Sequence, residues 1–197
     1  MKYDFIEIGA CNFNTLIEKS SNTETGLCIE PVSYYFDQLP KKPFVKKLQL
    51  IISPTNQTGF SEIWFVPEED IIRNNLPKWL AGCNSVGKYH LQHTALHVES
   101  LVCKEIVPSI PISTLFEDND VASVEFLKLD TEGCDCDILE HLSNYLAVKN
   151  KTVWPQTIQY ESNELTTKHR QQQINQIYQN MGYTVNVGSE DTHLILR

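Results

Sequence analysis

No stretch of this sequence approaches the roughly 18 consecutive apolar residues that a membrane-crossing helix needs. Its amino terminus has no basic segment leading to a small-residue cleavage site, so no secretory leader is expected. These two absences predict a cytoplasmic protein without a membrane partner. An excess of basic charge is also missing, because 16 Lys and Arg stand against 25 Asp and Glu, a net charge of −9. A general nucleic-acid binder would need a basic face to neutralise phosphates, so nucleic acid is not expected as a partner. Lys41, Lys42, Lys46 and Lys47 cluster, but they flank a strand and read as its solvated edge. There are six cysteines and no CxxC pair; Cys134 and Cys136 are two apart, a poor spacing for structural zinc. Reduced thiols are therefore expected. Repeats and low-complexity tracts are absent, and 197 residues suit one domain spanning 1–197.

A last absence is the most informative. "FIEIGACNFNTL" (5–16) reads as a buried strand that ends in an acid and a glycine, then turns into a helix. A dinucleotide fingerprint would need further glycines at the positions of Cys11 and Asn14. Gly9 stands alone, so a pyrophosphate clamp at the helix start is poorly supported.

The pattern that is present alternates. Strands are expected at 3–10, 26–31, 44–53, 61–67, 123–130 and 157–163, with an extended segment within 97–110. Helices are expected at 13–20, 32–39, 136–148 and 166–182, the last ended by Gly182. The stretch 68–82 is helical in character but broken by Pro77. A closing hairpin is formed by 183–188 and 192–197. Strand–helix alternation predicts an α/β fold with a mostly parallel sheet, and the hairpin makes one edge strand antiparallel. The irregular stretch 67–97 reads as a lid or acceptor-binding insertion.

Ligands on such sheets sit beyond the carboxyl ends of the strands. Those ends carry Glu7 and Gly9, Glu30, Ser53, then Asp130, Glu132 and Gly133, then Glu161. Glu30 follows Gly9 by about twenty residues, where an acid accepts hydrogen bonds from ribose hydroxyls. A ribose ligand without a pyrophosphate fits these features, and S-adenosylmethionine is one.

Two further motifs weigh less. "GCNSVGKY" (82–89) fits GxxxxGK, but Tyr89 stands where a phosphate loop needs Ser or Thr, and Asn84, Ser85 and Lys88 read better as acceptor-binding groups. His90, His93 and His97 are spaced as one face of a helix, which reads as a zinc face, a lid with one basic histidine, or plain surface.

The strand ends also carry a resemblance. "FIEIGACNFNTL" resembles the first motif of class I S-adenosylmethionine-dependent methyltransferases, and "LKLDTEGCDCDIL" (127–139) resembles the Lys-x-Asp-x-Glu-Gly-x-Glu/Asp signature of the FkbM-type methyltransferases. "ISTLFED" (112–118) before that signature, and "IQYESN" and "MGYTV" after it, fall in that family's order. The resemblance implies a Rossmann-like fold, a three-layer sandwich around a seven-stranded sheet. It also implies O-methylation of a hydroxyl on a sugar or other small molecule. It would put Glu7, Gly9 and Ala10 on the methionine part of the cofactor, Glu30 with Pro31 on the ribose, and Ser53 near the adenine. Asp130 would face the cofactor amino group and the acceptor, with Glu132 and Gly133 beside it.

For proton removal from the acceptor, Asp130 is the first candidate, with Glu161 and Glu132 as rivals. The three together could hold a divalent ion, which is not favoured here. Lys128 shares the Asp130 face as a pairing or structural cation. Phe13 stands where the family usually has a second glycine. That departure supports an alternative, a non-catalytic module or a subunit whose pocket a partner completes, a homo-oligomer included.

Overall fold

The structure is a computed structural model and describes residues 1–12 and 14–197, so Phe13, which stands where the family usually has a second glycine, lies outside the described residues. Among the described residues, eleven strands and seven α-helices follow one another along the chain. The first βαβαβ run comprises β1 (Lys2–Ile8), α1 (Leu16–Lys19), β2 (Gly26–Ile29), α2 (Ser33–Gln38) and β3 (Val45–Leu48). The middle contains β4 (Ile51–Ile52), β5 (Gly59–Phe65), α3 (Glu68–Arg73), β6 (Ser85–Val86), α4 (Leu91–Ala95) and β7 (Cys103–Ile110). The last part contains α5 (Ile112–Asp118), β8 (Ser123–Leu129), α6 (Asp135–Leu146), β9 (Thr157–Glu161), α7 (Lys168–Met181), β10 (Tyr183–Val187) and β11 (Asp191–Leu196).

Seven strands form the main sheet in the order β10-β11-β9-β8-β1-β2-β3. The five strands from β9 to β3 are parallel, as crossover helices require. The sequence placed the reversed strand at the edge. Instead β11 pairs antiparallel with both β9 and β10, and β10 takes the edge. Burial explains the order: Thr192 and Leu194 of β11 are inaccessible, whereas β10 ends in exposed Asn186 and Val187. The more deeply buried strand of the hairpin occupies the covered position.

Side chains alternate between the two faces of this sheet. Ile6, Ile8, Leu27, Leu127 and Leu129 pack beneath α5, α6 and α7 in the largest core. Phe5, Cys28 and Phe126 point the other way, to Ile17 of α1 and Leu39 after α2. Helices thus cover both faces. Gly182 ends α7 in the left-handed conformation, with φ 103°.

A second sheet, in the order β4-β7-β5-β6, was not foreseen. The expected third strand over 44–53 is in fact two. Val45–Leu48 pairs with β2, and after Gln49 and Leu50 the chain changes partner, so that Ile51–Ile52 pairs with β7. The change brings Ile51, Ile63, Phe65 and Val107 into a separate core with Val32 and Tyr35. Much of 67–97 belongs to this core through Ile71, Leu80, Ala81 and Cys83. The break at Pro77 is real: α3 ends at Arg73 and a 3-10 turn takes over at Lys78–Gly82. Among the described residues no helix is long and apolar enough to cross a membrane. No two of the six cysteines are bridged.

Gly9 makes the joint between β1 and β8. Its φ is 83°, and a Cβ there would lie 1.8 Å from the backbone oxygen of Asp130. Replacing Gly9 by Ala meets both the left-handed backbone and an immovable carbonyl. Gly9→Ala is expected to lower stability by about 2–4 kcal/mol, read by denaturant unfolding; a loss within about 0.5 kcal/mol would contradict this close approach.

Candidate active site

A cavity of about 670 Å³ opens where the carboxyl ends of β1, β2, β8 and β9 meet the second sheet. Its volume falls within the range of small-molecule sites. Gly9 and Ala10, Glu30 and Pro31, Asp130, Glu132 and Glu161 all line it. The sequence therefore placed most of its candidate residues on one wall. The opposite wall comes from the insertion: Trp79, Asn84, Val86, His90 and Gln92.

Two residues expected to hold the cofactor lie outside the wall. Glu7 is inaccessible and points beneath α1, on the strand face it shares with Cys28 and Lys128. Its Oε2 accepts the Leu16 N–H at 2.8 Å, and Lys128 Nζ lies 3.2 Å from Oε1. Burial raises the Glu7 pKa, and the Lys128 charge opposes that rise. Ser53 is also displaced, because the chain has already crossed to the second sheet. Its N–H bonds the Ile110 carbonyl, and its Oγ accepts the N–H groups of Thr55 and Gln57.

Glu30 sits on the wall and is 2% exposed. Oε2 accepts the Cys11 N–H at 2.6 Å and Oε1 accepts the Val32 N–H at 2.8 Å. Burial pushes its pKa up to about 7, against the lowering effect of those two donors. A carboxylate oxygen has two acceptor positions, so each Glu30 oxygen has one to spare.

Asp130, Glu132 and Glu161 each bring an oxygen within 4.8 Å of the others. That spacing is compatible with a bracketed cation, yet all three already have a cationic or donor partner. Lys128 Nζ is 3.4 Å from Asp130 Oδ2, and His90 Nε2 is 2.9 Å from Glu132 Oε2. Glu161 accepts from Asn163 Nδ2 at 2.6 Å. Burial, then Glu132, Asp135 and Asp130, raise the Glu161 pKa to about 10.

Asp135, the last acid of the 127–139 signature, was assigned no role from the sequence. It is 1% exposed, takes the Thr131 N–H and hydroxyl on Oδ1, and takes the Glu161 N–H on Oδ2 at 2.9 Å. It thereby ties the loop after β8 to the end of β9. Its signal was an acid in the first turn of the helix after Gly133, which reads equally well as ordinary helix charge. The histidines do not form a zinc face. His93 is buried, whereas His97 lies beyond α4, exposed and with φ 54°. "GCNSVGKY" is no phosphate loop either, because Ser85 and Val86 in its middle pair with β5.

The Glu30 environment fixes a pH dependence. Its folded pKa exceeds the unfolded value, so the folded state holds the proton longer. Stability of the wild type relative to Glu30→Gln should therefore fall as pH rises from about 4.5 to about 7, by about 3 kcal/mol in total. It should be flat above that window. Paired denaturant melts across pH check this, and a difference that grows with pH would contradict the buried, raised carboxyl.

A family model, the methyltransferase FkbM domain, matches residues 7–185. Comparisons with curated proteins and with solved structures gave no match. The match spans the glycine joint, the Glu30 wall, the acids after β8 and β9 and the start of the closing hairpin, so this chain belongs to the FkbM methyltransferase family.

Proposed function

We propose that the protein is an S-adenosylmethionine-dependent methyltransferase acting on a hydroxyl of a sugar or other small molecule. The observation that carries this reading is Glu30. A carboxylate held rigid by two backbone donors, at the end of β2 and open to a cavity of about 670 Å³, suits a pair of ribose hydroxyls. Gly9 and Ala10 give the same cavity a wall without bulk, as close approach of a ligand to backbone demands. The residues present fit the cofactor. Bound there, S-adenosylmethionine would supply an activated methyl group.

The protein's part is placement and proton removal. Asp130, paired with Lys128 and lining the cavity, would on this reading face both the cofactor and the acceptor. The acids after β8 and β9 offer the base, an effect worth about 10²–10⁴-fold. Trp79, Asn84, Gln92 and Asn163 combine an aromatic face with amide groups, a mixture that orients a polyhydroxylated ring. On this reading the segment 67–97 is the acceptor wall.

Calorimetric titration with S-adenosylmethionine, S-adenosylhomocysteine and NAD is the test. Binding of the first two with Kd in the micromolar range of about −8 kcal/mol is expected. NAD should not bind, and Glu30→Ala should weaken both methyl-cycle ligands by at least about tenfold. A folded protein that binds neither would refute the reading.

A further inference from the structure

The three acids at the acceptor end differ in what holds them. Asp130 faces the Lys128 ammonium, and Glu161 takes an amide proton from Asn163 two residues on. Glu132 is held from across the cavity, by His90 of the acceptor wall. His90 is 4% exposed, and its two ring nitrogens have different partners. Nδ1 accepts the Gln92 N–H at 3.1 Å, capping α4. A nitrogen that accepts carries no proton, so the ring is the Nε2–H tautomer and donates to Glu132 Oε2. Oε1 of Glu132 has no hydrogen-bond partner among the described residues, and Glu132 lines the cavity. The backbone adds an independent sign. Glu132 has φ 52°, a left-handed conformation that a residue with a side chain keeps only where its surroundings impose it.

We infer that Glu132 takes the acceptor proton and that His90 is its positioning residue. This rests on the methyltransferase reading above. The ring N–H fixes Oε2, which leaves Oε1 presented to the acceptor hydroxyl. In the step the acceptor O–H bond breaks and the proton joins Oε1. The electron pair stays on the acceptor oxygen, which would form the new bond to the methyl carbon as the methyl–sulfur bond breaks, that bond's pair leaving on the sulfur of S-adenosylhomocysteine. His90 gives up no proton. The segment between β6 and β7 thereby contributes to the chemistry by supplying, at the start of α4, the donor that aims the motif's own glutamate.

Two substitutions separate the two roles of His90. His90→Asn keeps a side-chain acceptor for the cap, a position that Asn favours, but is too short to reach Glu132. His90→Gln keeps a terminal N–H near the place of Nε2 and gives up the cap. Both should bind S-adenosylmethionine within about threefold of the wild type by calorimetry, since neither touches Glu30. Transfer of labelled methyl to a mixture of methyl glycosides should fall about 10²-fold in kcat, at unchanged KM for the cofactor, in His90→Asn. His90→Gln should recover at least about tenfold of that loss. The ¹⁵N spectrum of the wild-type ring, which needs no acceptor, should show Nε2 protonated and Nδ1 bare, and Glu132→Gln should shift the Nε2 signal. Turnover of His90→Asn equal to or above that of His90→Gln, or a ring protonated on Nδ1 alone, would overturn the inference. A wild-type protein that fails to bind S-adenosylmethionine would instead overturn the reading beneath it.

Discussion

Backbone N–H groups beyond the ends of parallel strands lose their ladder, and this protein meets several of them with buried carboxylates. Glu7 takes the N–H of Leu16, Glu30 those of Cys11 and Val32, and Asp135 those of Thr131 and Glu161. Such groups cost free energy if left unmade, and a charged acceptor makes a stronger bond than a neutral one. Each carboxylate thus fastens one turn at the carboxyl edge of the sheet. The cavity walls are those turns, so the site inherits its rigidity from these bonds.

The same arrangement explains the acidity of the site. Desolvation raises the pKa values of Glu30, Asp135 and Glu161, and among the described residues Lys128 alone stands beside them as a fixed cation on the wall. Opposed to this acid-rich wall is a second layer of different chemistry, with Trp79, Asn84 and Gln92. A ligand with a cationic centre and an acceptor with several hydroxyls suit the two sides in turn.

The sequence made the strand ends legible because one rule, acids beyond a parallel sheet, applies residue by residue. Asp130, Glu132, Glu161 and Glu30 follow from it and reach one cavity. Glu7 does not, since a single residue's step along β1 turns its side chain to the other face, under α1. Ser53 was misplaced because 44–53 is continuous in hydropathy while its hydrogen-bond partners change at Gln49 and Leu50. The pairing that changes them, Ile51 with Ser109, joins residues far apart in sequence, and no local pattern announces it. The His90–Glu132 contact was hidden for the same reason. It spans 42 residues and depends on the second sheet for its geometry. The hairpin was visible, but its order in the sheet was decided by burial of Thr192 and Leu194.

We propose the carboxyl edge of the main sheet as a nucleoside-cofactor pocket with Glu30 on its ribose wall. A crystal structure of the protein with S-adenosylhomocysteine tests it most directly. The account predicts the ligand in the cavity between Gly9 and Asp130, with its ribose hydroxyls on the Glu30 carboxylate. A ligand bound elsewhere, or bound with Glu30 still touching only the N–H groups of Cys11 and Val32, would contradict it.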